Sequence, residues 1–198
     1  MKTRHLVTCS FALVLFAASA ARAQAPAMGF RAEFLGSQAY AEKQILGLAE
    51  ATPADKYGWR PAPGVRSVSE VYIHIAGANY FIPEFAGIQA PAGLDKEMEK
   101  NVTEKSKVID ELKKSFAHLR AGVNSLSDAD LDKPVKFFGN DSTVRGVLLT
   151  TANHEFEHLG QSIAYARMNG IVPPWTAEQQ KKIKEEMEKK PADAPAKK

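Results

Sequence analysis

The chain holds a single cysteine, Cys9, and it lies near the start. From residue 24 onward there is no thiol, which excludes disulfides and thiolate ligands; any metal there must be held by histidine, carboxylate and water. Long hydrophobic runs are missing as well. The apolar stretch Phe11 to Ala18 is too short to span a bilayer and no second candidate follows, so no stable membrane insertion is expected. Nor is there an excess of charge beyond the first segment. Lys and Arg number 26 against 23 Asp and Glu, but residues 1–23 contain Lys2, Arg4 and Arg22 and no acid, which leaves 23 of each sign. Nucleic acid, which needs a basic patch, is not an expected partner. No internal repeat is present.

What is there begins with a processing signal. Lys2 and Arg4 form a basic start, Phe11 to Ala18 an apolar run, and Ala21-Arg22-Ala23 a small-x-small cleavage site. Export to a periplasm or to the medium as a soluble protein is the expectation, with residues 1–23 removed. About 150 folded residues then make one domain, taken as 24–175. Residues 176–198, rich in Lys and Glu and ending in Pro-Ala-Asp-Ala-Pro-Ala-Lys-Lys, predict a charged helix followed by a disordered tail.

Within the domain the periodicity is helical. Phe30, Phe34, Leu35, Ile45, Leu46 and Leu48 mark a first amphipathic helix over 30–51, ended by Thr52-Pro53. Tyr57 to Gly64 is a Pro/Gly loop carrying Trp59, which either caps the core or lines a pocket. Ser67-Val68-Ser69-Glu70 is a capping box. It opens a second helix through Val71, His74, Ile75, Ala78 and Ile82, stopping near Pro83. A third helix is predicted over 97–122, with His118 in its last turn as a structural or surface group. Turn residues at 127–130 and an extended piece at 135–138 lead to a fourth helix. That helix runs from Ser142 or Thr143 to Asn169, stopped by Gly170 and Pro173-Pro174. Thr176 is read as the cap of the charged fifth helix. These elements specify an all-α protein, an up-and-down four-helix bundle with a short charged C-terminal helix.

The chemistry concentrates in His154-Glu155-Phe156-Glu157-His158-Leu159-Gly160-Gln161. Two histidines four apart on a helix stand one turn above the other and face the same way. Two neutral imidazole nitrogens then converge on one point, as a divalent ion about 2 Å from each requires. The same stripe reads Val147, Thr151, His154, His158, Gln161, Tyr165, placing polar and aromatic groups where a bundle core normally carries leucine. His74 lies on the apolar stripe of the second helix, where an imidazole without a partner is unfavourable. It is the natural third ligand. An all-imidazole set suits Zn, Ni and other first-row ions alike. Glu155 and Glu157 are candidates for a general base, although Glu155 points about 100° away from His154. Gln161, Tyr165 and Trp59 are candidates for holding a small-molecule substrate.

Trp59-Arg60-Pro61, Arg66-Ser67-Val68, His74-Ile75, the His-x-x-x-His-x-Gly-Gln run from His154, and Tyr165 through Pro174 together resemble the DinB-like family over about residues 29–175. The resemblance implies a four-helix bundle, in many members a homodimer. It also implies a metal site of His74, His154 and His158 with an open water position, and activity as a metal-dependent hydrolase or thiol-dependent transferase. The export signal departs from the cytoplasmic members. Two other readings stay open. His154-Glu155-Phe156-Glu157-His158 fits the H-E-x-x-H zinc peptidase motif, with Glu178 or Glu185 as a downstream ligand, though no sheet precedes it to hold a peptide. The bundle could equally bind a metal or ligand without catalysing a reaction, since function resides in sites rather than folds.

Overall fold

The structure is a computed structural model and describes residues 28–189. The expected signal segment and residues 190–198 of the expected tail lie outside them. Among the described residues, no helix is long and apolar enough to cross a membrane.

Helix α1 spans Phe30–Ala51 and buries Phe34, Gln38, Ala41, Ile45 and Leu48, a spacing of four and three that makes one stripe. Thr52 ends it with its hydroxyl on the Leu48 carbonyl. The Pro/Gly loop folds back so that Trp59 and Tyr57 carbonyls accept the Val68 and Ser69 N–H groups, which orients the next helix. Helix α2, Val68–Phe81, starts at the predicted capping box: Ser67 accepts from the Glu70 N–H and Glu70 accepts from the Ser67 N–H.

The predicted third helix is two. Helix α3 is the single turn Met98–Asn101, and α4 runs from Lys105 to Ser125. Residues 103–107 carry no apolar side chain, so nothing pins a continuous helix to the core there. Val102 leaves helical backbone and Glu104 is extended instead, and Met98 buries on its own against α2. His118 consequently lies well inside α4 rather than in its last turn, its ring 5.3 Å from that of Tyr80.

The extended piece becomes a hairpin. Strand β1, Pro134–Phe137, pairs antiparallel with β2, Asn140–Thr143, and Phe137 faces Asn140. Phe138 is therefore a turn residue, not a strand residue. It and Gly139 both have positive φ, 48° and 84°, as a two-residue hairpin turn of matching twist requires. Helix α5, Val144–Met168, is capped by Thr143, which accepts from the Gly146 N–H. It closes with Gly170 at φ 72°. The Ile171 and Gly170 N–H groups return to the Ala166 and Arg167 carbonyls, a Schellman stop. The last helix, α6, starts at Pro174 rather than after Thr176 and runs to Lys189. Proline suits the first helical position because its missing N–H would have no partner there.

The four long helices close into a bundle, with α1 packed on α4 and α5, and α2 packed on the same two. Helices α1 and α2 thus face each other across the axis. Ile45, Ile75, Leu112 and Phe116 fill one part of the core; Phe34, Leu119, Leu148 and Val144 fill the other. The α2–α5 seam is the one that carries the site.

Candidate metal centre

His74 from α2 and His154 and His158 from α5 come together. One ring nitrogen of each lies within 4.8 Å of the other two. The Nε2 atoms of His154 and His74 are 3.2 Å apart. Two ligands each about 2.0–2.1 Å from a tetrahedral ion stand about 3.3 Å from one another, so this pair already has the spacing of a coordination edge.

Hydrogen bonds decide which nitrogen His158 and His74 offer. The Tyr165 hydroxyl donates to the Arg66 carbonyl and accepts from the Gln161 side-chain amide, at 3.2 and 3.0 Å. That leaves the Gln161 Oε1 for His158 Nδ1, 2.8 Å away, and an amide oxygen only accepts. His158 Nδ1 is therefore protonated and its Nε2 presents a lone pair. His74 Nδ1 meets Glu99 Oε2 at 3.1 Å, and a carboxylate likewise accepts, so His74 Nε2 also presents a lone pair. This carboxylate–imidazole pairing is the outer support that metal-binding histidines commonly have. His154 Nδ1 is buried without a partner. Two lone pairs thus converge beside a third imidazole, where one cation would serve both.

An added proton, which would make an imidazolium, is disfavoured. Burial lowers the His74 pKa, and the nearby Arg66 and His158 side chains add to this against the opposing pull of Glu99. Burial, and repulsion of a third positive charge by the neighbouring His158, His74 and Arg66 groups, bring His154 down to about 4. Near neutral pH these two rings are uncharged, the state that ligates metal. Arg66 ties the arrangement together. Its Nε donates to Glu99 Oε1 at 2.6 Å while its carbonyl receives Tyr165. The residues present fit a single divalent ion.

The two glutamates of the motif part company. Glu157 is exposed. Glu155 is 0% exposed and neither of its oxygens has a hydrogen-bond partner, histidine included. Burial, and then the Glu42 charge on α1, push its pKa well up. It lies inside the bundle, where burial disfavours its charged form, and not on the solvated face. Trp59, Gln161 and Tyr165 are brought together beside His158, with the Trp59 and Tyr165 rings edge to face at 5.3 Å. None of the three lines the groove of about 890 Å³ that opens next to His74 and His154. Glu99 lines that groove, and neither it nor Arg66 stands out from the sequence as a site residue. Residue 99 meets residue 74 only because α3 docks on α2, and no local spacing encodes that.

Three imidazoles meeting across one seam of a four-helix bundle define a helical bundle with a metal-competent histidine centre. A family model for the DinB superfamily matches residues 39–162, and the chain belongs to that superfamily. Solved structures agree on the fold. A DinB-like protein from Bacillus cereus ATCC 10987 is 23% identical with a TM-score of 0.64, over 71% of this chain and 93% of that one. A DinB-like protein from Bacillus subtilis is 22% identical with a TM-score of 0.58, over the same shares. A conserved protein from Enterococcus faecalis is 16% identical with a TM-score of 0.57, over 71% and 97%. No curated protein matches the chain.

Proposed function

We propose that His74, His154 and His158 hold one divalent first-row ion, zinc or nickel, with one position left for water or substrate, and that the protein is a metal-dependent hydrolase or transferase. The observation that carries this reading is the convergence of three ring nitrogens, with the tautomers of His74 and His158 set by Glu99 and Gln161. A dication bound there supplies Lewis acidity beside the groove. The chain's own groups do the rest. Glu99 holds the His74 proton on Nδ1, Gln161 and Tyr165 do the same for His158, and Arg66 fixes both supports. The peptidase reading loses ground because the motif glutamate is sealed in the core without touching a histidine, whereas a base must reach the proton it removes.

Elemental analysis of the protein spanning residues 24–198 tests the proposal. One equivalent of metal is expected, and its loss in His158→Ala and His74→Ala. Equal metal in the variants would end it. Visible spectra of the cobalt-substituted protein with added azide separate an enzyme from a passive binder: a shift means an exchangeable position, and no shift means a saturated ion. Export belongs to the same proposal and rests on the basic, apolar and small-residue pattern of residues 1–23. A secreted form beginning near residue 24, seen by N-terminal sequencing, is the expected result.

A further inference from the structure

The groove beside His74 and His154 has a volume of about 890 Å³, within the range of pockets that enclose small ligands. Its apolar wall is aromatic. Phe81 and Phe138 line it with 49% and 61% of their surfaces exposed. Phe85 locks them to the hairpin, its ring 5.6 Å from Phe81 and 5.1 Å from Phe137. Exposed aromatics gathered on one wall mark a surface that binds something.

The hairpin tip is a second, independent sign. Phe138 has φ 48°, in a turn for which Gly or Asn is the low-energy choice. A bulky residue kept in left-handed backbone points to a role outside the fold, because strain of this kind collects at ligand sites. On the α2 face that carries Phe81, Gly77 lies about one helical turn beyond His74 and lines the same groove. A Cβ built there meets nothing nearer than the Met98 sulfur at 3.9 Å, so the missing side chain is open space in the groove.

Charge narrows the ligand. Besides the histidines, the charged groups lining the groove are Glu84, Asp95 and Glu99 against Lys96 alone. With a dication on neutral imidazoles, the histidine end is positive and the remainder is weakly negative. One anionic head fits at the first; a second negative charge along the body does not.

We propose that this groove binds a small amphiphilic monocarboxylate, its aromatic or alkyl body against Phe81 and Phe138 and its carboxylate at the histidine centre. The assignment of the head group rests on the three-histidine reading above; the assignment of the body rests on the groove alone.

Calorimetry on the protein spanning residues 24–198, with zinc and without, tests both parts. The probes are 4-phenylbutyrate, the uncharged 4-phenyl-1-butanol, and 4-(4-carboxyphenyl)butyrate, which adds a charge at the far end. Phenylbutyrate is expected to bind the zinc form at least tenfold tighter than the metal-free form and at least tenfold tighter than the dicarboxylate. Lengthening its chain by one methylene should tighten binding by up to about fourfold. Phe81→Ser and Gly77→Leu should each weaken phenylbutyrate and phenylbutanol at least tenfold while zinc content stays at wild type. Phe138→Asn, which suits the turn and relieves the backbone, should do likewise without loss of stability.

Failure of each part is distinct. A protein that takes up no zinc removes the head-group assignment. Phenylbutanol binding that is lost in Gly77→Leu still supports the aromatic subsite in that case. Phenylbutanol binding that survives all three substitutions overturns the groove, whatever the metal does. A dimer that dissociates on Phe81→Ser, with no binding of any probe, would make the wall a contact between copies and also overturn the proposal.

Discussion

Glu155 shows how much one side chain can conceal. Beside His154 in the sequence it looks like a base, yet it faces α1 with both oxygens buried and unpaired. A carboxyl whose folded pKa is raised contributes fully below its unfolded pKa, near 4.5, and loses that contribution as pH rises toward the folded value. Glu155→Gln should therefore raise the melting temperature more at pH 8 than at pH 5, read by thermal scans at both. His74 and His154 run the other way. Their folded pKa values lie below 6.5, about 4 for His154, so metal-free protein should lose stability as pH falls from 6.5 to 4. In the Glu155→Gln background, where the opposing trend is gone, urea midpoints should show this directly. Glu99→Gln should weaken metal binding by about 10- to 100-fold, as loss of an outer partner does, checked by competition with a chelator. His154 and His158 were legible because four-residue spacing on a helix is local. Glu99 was not, because its meeting with His74 spans 25 residues.

At the level of elements, ends were easier to anticipate than interruptions. The box at Ser67 and Glu70 and the stop at Gly170 follow from side chains within a few residues. Ser67→Ala should cost about 1 kcal/mol, seen as a lower urea midpoint. The break between α3 and α4 was hidden. Apolar residues flank it on both sides, and the polar run 103–107 reads equally as one solvated helical turn until Met98 docks on α2. The turn at Phe138 was hidden for another reason, since phenylalanine favours strand and the adjoining glycine alone hinted otherwise. Phe138→Asn should stabilise the hairpin by about 1 kcal/mol, measured by the same denaturation.

For the molecule as a whole, the bundle was legible from its stripes, while the order of helices around the axis was not. Which neighbour a stripe meets depends on long-range packing. Because the site joins α2 to α5, an ion that binds only the folded form should stabilise the entire domain. A chelator should lower the melting temperature, and the shift should shrink as free metal falls toward its dissociation constant. Helix α6 has no buried residue. Ending the chain after Thr176 should change stability by about 0.5 kcal/mol or less.

The hydrogen bonds around the histidines form a circuit with Arg66 at its junction: guanidinium to Glu99 and His74 on one side, carbonyl to Tyr165, Gln161 and His158 on the other. In such a circuit the two outer ligands are not energetically independent. A double-mutant cycle on Tyr165→Phe and Glu99→Gln should show non-additive losses of metal affinity, so that variation at residue 165 is felt by an imidazole on another helix that it never touches.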